Sequence, residues 1–126
     1  MQGQLGPGKG KDFDGANAMG PCLVTADEIP DPYHLDMAVR VNGEEWGRGN
    51  SGEMRWKFED CIAHVSRSET IHPGEFFGSG TVGNGCGLEQ MRFLSPGDVV
   101  ELEVERIGVL RNRVVRPHAA KATRSA

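Results

Sequence analysis

Glycine constrains this chain more than any other residue, with 18 in 126 positions and five of them inside residues 78–87. A stretch of that composition, Gly78-Ser79-Gly80-Thr81-Val82-Gly83-Asn84-Gly85-Cys86-Gly87, supports neither helical nor strand periodicity, because each glycine adds backbone entropy and presents no side chain to pack. It is therefore expected to be a loop that passes close to something. The residues AVILMFWYC make up 37 % of the chain, enough for one core at this length, and a second domain is excluded on size.

Around that loop the periodic segments are short. Leu35, Met37, Val39 and Val41 alternate with Asp36, Ala38 and Arg40 and run into Asn42-Gly43, the strongest two-residue hairpin signal, so a return strand is expected over residues 44–48. A first strand is expected near residues 22–25 and a further short one over 75–78. Phe58, Cys61, Ile62 and Val65 recur at i, i+3, i+4 and i+7, predicting one main amphipathic helix over about 58–67 with Glu59, Asp60 and Arg67 outward. Lys57 stands where a capping serine or aspartate is wanted. Past the Ser95-Pro96-Gly97-Asp98 turn, Val100, Leu102 and Val104 alternate with glutamates, and a partner strand follows Gly108. Matching charges sets Glu101 opposite Arg113, Glu103 opposite Arg111 and Leu102 opposite Asn112, with Arg106-Ile107-Gly108 as loop and Gly108 at positive φ. The class is α+β with mostly antiparallel strands, over a domain of residues 1–116 followed by a disordered tail, 117–126.

Charge and composition exclude several functions. A net charge of −4 offers no basic stripe for a phosphate backbone, so nucleic acid is not an expected partner. No apolar run approaches the ~18–20 residues that span a bilayer, and Met1-Gln2-Gly3-Gln4 opens no signal sequence, so no membrane is expected and the location is read as cytoplasmic. Cys22, Cys61 and Cys86 are odd in number and lack CxxC spacing, against both a disulfide framework and a thiolate zinc site; they are expected reduced and partly buried.

Three motifs invite a ligand and do not hold one. Gly3 through Lys9 fits GxxxxGK, but Gly10 replaces the hydroxyl residue that would hold magnesium and no strand precedes it. Gly78 through Gly83 fits GxGxxG, yet more glycine stands where the pyrophosphate-binding helix must begin. Asp27, Glu28 and Asp31, interleaved with Pro30 and Pro32, read as a solvated turn, and His34, His64, His72 and His118 show no ligand spacing.

Taken together and in order, Lys11-Asp12-Phe13, Gly20-Pro21, the run Val24 through Pro32, Val41-Asn42-Gly43-Glu44, Gly78-Ser79-Gly80-Thr81 and Pro96-Gly97-Asp98-Val99-Val100 resemble the fumarylacetoacetate hydrolase family over about residues 5–115, as the C-terminal part of its catalytic domain. The resemblance implies a mixed β-roll, usually dimeric, that binds Mg2+ or Ca2+ and acts on a small β-diketo or 2-oxo acid by hydrolytic carbon–carbon cleavage, decarboxylation, isomerisation or hydration. It implies a lysine beside the metal, matched by Lys11, a threonine on the substrate carboxylate, matched by Thr81 with Gly80 beside it, and a glutamate that orients a catalytic histidine, for which Glu89 is the candidate. The bare backbone around Thr81 suits a ligand approaching the amides at 80–82. The family's acidic metal ligands, its substrate-gripping glutamine and arginine and its histidine precede the lysine motif, and no such groups are found before Lys11 here. The metal ligands are therefore not assigned in this chain, and the expected assembly is a homo-oligomer or a union with an N-terminal half in trans. A second reading from another class is a non-catalytic binding or assembly module that keeps the half-roll.

Overall fold

A computed structural model describes residues 13–116. The lysine motif at Lys11, the Gly3 to Gly10 segment and the tail from 117 lie outside the described residues. The elements are β1 (Asp36–Val41), β2 (Glu44–Asn50), α1 (Phe58–Val65), β3 (Val99–Val104) and β4 (Gly108–Arg113), with short 3-10 turns at Ser51–Glu53 and Gly87–Gln90. All pairings are antiparallel in the order β2-β1-β3-β4. This is the expected α+β class, with one four-stranded sheet and one main helix.

The β1–β2 hairpin follows from its turn. Asn42 and Gly43 both take positive φ, 53° and 83°, as a two-residue turn matched to strand twist requires. Asn42 does more than turn the chain. Its backbone N–H donates to Val99 O (2.9 Å), its side-chain oxygen accepts from Val99 N (2.9 Å), and its amide donates to Asp98 Oδ1 (2.9 Å). One residue thus ties the first hairpin to the start of β3. The N–H of Ser95, with the Asn42 amide second, holds the Asp98 carboxyl below its ordinary value.

Alternation gives the sheet two unlike faces. Asp36, Ala38 and Arg40 share one face with Glu101, Glu103 and Arg111, where Arg40 pairs with Glu103 and Arg111 with Glu101 at 3.5 Å. Met37, Val39 and Val41 lie on the other face beside Val104, Leu102 and Val100. Among the described residues only Leu35, Ala38 and Val41 are buried hydrophobics, whereas Trp56, Leu88, Phe93 and Leu102 are among those left open. A core this small stabilises little on its own, at about 1.5–3 kcal/mol for a fully buried aliphatic side chain.

Four expectations are corrected. Residues 22–25 and 75–78 form no strand; Leu23 and Phe76 are 79 % and 73 % exposed, and neither segment makes a backbone hydrogen bond to a described strand. In the second hairpin Glu101 faces Arg111, Leu102 faces Leu110 and Glu103 faces Val109, two residues from the charge-matched register. The shift keeps every side chain on its face and replaces the Leu102–Asn112 opposition with a leucine pair. The loop becomes Glu105-Arg106-Ile107, with Arg106 left-handed at φ 64°, while Gly108 keeps the expected positive φ of 113°. The helix ends at Val65, two residues short of 67. Finally, Cys22 and Cys86 are exposed, and only Cys61 is half-buried.

The cap that Lys57 cannot provide comes from 25 residues upstream. The Tyr33 hydroxyl accepts from Phe58 N (3.0 Å) and donates to Glu59, and the Asp60 carboxylate accepts from Lys57 N (3.0 Å). The Tyr33 and Phe58 rings stack with centroids 5.6 Å apart, and the Lys57 ammonium lies 4.4 Å from the Tyr33 ring. The start of α1 is thereby tied to the segment that leads into β1.

Candidate functional site

Two clefts open over the apolar face. The larger, about 970 Å³, has Leu35, Met37 and Val104 in its floor, Trp56 and Phe58 on one wall and Ser79 through Gly83 on another. The smaller, about 350 Å³, lies over Val39, Val41, Val100 and Leu102 and is bounded by Gly85, Gly87 and Phe93. The glycine-rich segment contributes to both and runs against the sheet between them.

That segment reaches the sheet because β2 presents glycines there. Gly49 and Gly47 lie opposite Met37 and Val39, so both belong to the apolar face. A Cβ on Gly47 would stand 2.8 Å from Asn84 O, 3.3 Å from Val39 Cγ1 and 3.4 Å from Gly85 Cα; one on Gly49 would collide with Val82 Cγ1. The chain then turns tightly, with Asn84 left-handed at φ 60° and Gly85 N donating to Val82 O (3.2 Å). The Gln90 amide donates to Asn84 O (3.0 Å) and to Trp46 O (2.5 Å). The Arg92 guanidinium lies 4.0 Å from the Trp46 ring centroid and bonds Glu44 at 2.9 Å. The far end of the loop is therefore clamped to β2.

Toward the larger cleft the same loop is bare. A Cβ on Gly78, Gly80 or Gly83 would meet nothing within 4 Å, and Gly80 takes φ 104°, where an L side chain is strained. Thr81 and Gly80 both line this cleft. Glu89 does not; its carboxylate accepts from Cys86 N (3.1 Å) and caps the 3-10 turn Gly87–Gln90. The structure thus brings Thr81 and Gly80 together and sets Glu89 apart, and Lys11 lies outside the described residues. Gly47, Gly49, Gln90 and Arg92 were not singled out by sequence reasoning. The pair Gly47-Arg48-Gly49 was the available signal, because two glycines on one face of a strand mark close approach by another backbone.

Among the described residues no three His, Cys, Asp or Glu side chains come together to hold a metal ion. Glu53 is the one carboxylate lining the larger cleft, and a hard divalent cation needs several convergent oxygens. These residues do not fit a resident cation.

An antiparallel four-stranded sheet thus carries a cleft along its apolar face with a bare glycine loop at its rim. The chain belongs to the fumarylacetoacetate hydrolase family: the model of the fumarylacetoacetate (FAA) hydrolase C-terminal region matches residues 1–115. It is 44 % identical over 107 residues to the human mitochondrial oxaloacetate tautomerase FAHD2A, covering 84 % of this chain and 34 % of that protein. The fumarylacetoacetate hydrolase of Exiguobacterium antarcticum superposes with a TM-score of 0.70 at 33 % identity, over 78 % of this chain and 35 % of that one. The maleylpyruvate hydrolase of Sphingobium sp. SYK-6, solved in complex with manganese(II) and pyruvate, gives 0.67 at 29 % identity, over 76 % and 34 %. The chain therefore spans about a third of the length of these relatives, which include hydrolases and a tautomerase.

Proposed function

We propose that this chain supplies the carboxylate-binding wall of a site for a small 2-oxo or β-diketo acid, in an enzyme that cleaves a carbon–carbon bond hydrolytically or carries out the related decarboxylation or tautomerisation. The observation that carries this reading is the bare rim of the larger cleft, where Thr81 and open backbone at Gly80 and Gly83 face an apolar floor. A carboxylate there can accept from the Thr81 hydroxyl and from backbone amides without displacing a side chain, and hydrogen bonds to a charged acceptor contribute about 1.5–3 kcal/mol. These groups orient the acid; the apolar floor excludes water from its carbon chain. The resemblance adds Lys11 beside the metal and Glu89 to orient a catalytic histidine, the latter on condition that it releases Cys86 N. The magnesium, calcium or manganese that the resemblance implies would be held by carboxylates outside this chain, where it would stabilise a developing enolate.

The test is a turnover assay on an acylpyruvate and on oxaloacetate with Mg2+ or Mn2+, using this chain alone and with the N-terminal part of a relative added as a second polypeptide. Turnover that depends on both polypeptides and falls at least tenfold in Thr81→Val is expected. A complex that forms yet shows no turnover on either substrate overturns the reading. It would favour the assembly module instead, which the open hydrophobic residues of the sheet face also suit.

A further inference from the structure

Among the described residues that line the larger cleft there is one cationic side chain, Arg55, and no described residue pairs with it. Of the residues that line it, only Glu53 and Arg55 carry charge. The arginines of the sheet are committed, Arg40 to Glu103, Arg48 to Glu45 and Arg111 to Glu101, and Arg92 beside it pairs with Glu44. Arg113 donates to Gly97 O at 2.8 Å. Arg55 has no carboxylate and no hydrogen-bond acceptor among the described residues. It lies over the Trp56 ring, 5.3 Å from its centroid, an arrangement that restrains the plane of the guanidinium and leaves its N–H groups free. Thr81 and the bare glycine backbone line the same cleft from the loop.

Resting on the carboxylate reading of the Thr81 wall, we infer that Arg55 is a specificity-determining residue that receives a second anionic group at the far end of the substrate. The cleft then selects oxo acids carrying a carboxylate at each end over acids with one. A planar guanidinium meets a carboxylate through two parallel N–H···O bonds, which a lysine ammonium cannot reproduce. The intervening floor of Leu35, Met37 and Val104 suits the short carbon chain between the two charges and gives no reason to prefer a polar link.

The experiment is calorimetric titration of the full chain with 2-oxoglutarate and with 2-oxohexanoate, which keeps the 2-oxo carboxylate and carries an ethyl group in place of the distal one. The wild-type chain is expected to bind the dianion about tenfold or more tightly, the range of a charge-assisted hydrogen bond. Arg55→Ala is expected to erase that preference while leaving 2-oxohexanoate unchanged, Arg55→Lys to restore part of it, and Thr81→Val to weaken both acids alike. Equal wild-type affinity for the two acids, or an Arg55→Ala variant that loses both equally, overturns the assignment of Arg55 and leaves the Thr81 wall standing. Unchanged binding in Thr81→Val overturns the carboxylate reading itself, and failure of the wild-type chain to bind either acid overturns both.

Discussion

Replacing Gly47 by alanine tests whether the glycines of β2 seat the loop that carries Thr81. The new Cβ would stand 2.8 Å from the Asn84 carbonyl oxygen, where ordinary contact begins near 3.4 Å, so strand and loop must separate by about 0.6 Å. The obstacle is backbone, and Val39 Cγ1 at 3.3 Å and Gly85 Cα at 3.4 Å bar a sideways escape. Overpacking of this kind costs about 1–3 kcal/mol, and alanine recovers about 0.4–1 kcal/mol of unfolded-chain entropy, so with a backbone obstacle that puts the cost toward its upper end the net loss is about 2–2.6 kcal/mol. Gly49→Ala collides only with the side chain of Val82, Glu53 Oε2 lying at an ordinary 3.8 Å, so adding Val82→Ala should rescue it, whereas no side-chain truncation should rescue Gly47→Ala. Urea unfolding gives the loss as a lower midpoint at unchanged slope. Hydrogen exchange at the Gly85 amide, which closes the Val82 turn, reports the loop directly. A Gly47→Ala chain as stable as its parent, with unchanged protection at Gly85, would refute the close-approach reasoning.

Five further outcomes follow from the geometry. Asn42→Gly keeps the left-handed turn and loses the side-chain links to Val99 and Asp98, which should cost about 0.5–1.5 kcal/mol per net hydrogen bond in a denaturation series; Asn42→Ala, with φ near 53°, should cost more. Partial desolvation, then the hydrogen bond to Glu59, raises the Tyr33 hydroxyl above 10.0, and the bond from Tyr33 chiefly lowers Glu59 below 4.5. A raised acid contributes stability below its unfolded value that is lost as pH climbs through the folded one, and a lowered carboxyl does the reverse; melting temperature should thus fall below about pH 4.5 and above about pH 10, with Tyr33→Phe removing the alkaline limb. A thiol reagent should modify Cys22 and Cys86 rapidly and the half-buried Cys61 slowly, and one kinetic phase for all three would contradict their exposures. Titration of the chain alone with Mg2+ or Mn2+ should show no single micromolar site, and light scattering at tens of micromolar should show a dimer or larger assembly covering the open sheet face.

The elements legible in the sequence were those whose signal is local. Asn42-Gly43 announces its turn because few other pairs take two positive φ angles, and the Phe58 to Val65 stripe announces a helix because its period is internal. The start of that helix was not legible, since its cap is a tyrosine 25 residues away and no spacing rule links Tyr33 to Phe58. The two absent strands failed for a related reason: alternation shows that a segment suits a strand, but a strand also needs a neighbour to complete its hydrogen bonds, and sequence does not say which neighbours are present. Of the proposed site, the Thr81 loop was legible as a glycine run, while Arg55 is distinguished only by what fails to pair with it among the described residues.

The second hairpin shows which force set its register. Charge matching favours Glu101 opposite Arg113 and Glu103 opposite Arg111, but an exposed ion pair contributes only about 0–1 kcal/mol and tolerates diagonal partners. A leucine is less forgiving: Leu102 opposite Leu110 sets the two large apolar side chains across from each other, while Asn112 moves to the end of the apolar row opposite Val100. The charges then adapt. Glu101 takes Arg111, Glu103 turns to Arg40 on the neighbouring strand, and Arg113 bonds the Gly97 carbonyl. Because the apolar pair is selective and the charged pairs are interchangeable, exchanging Glu101 and Arg111 should leave the hairpin register unchanged in cross-strand nuclear Overhauser contacts, and Leu110→Asn should loosen it. A register that moved on the charge exchange and held on Leu110→Asn would reverse this order of forces.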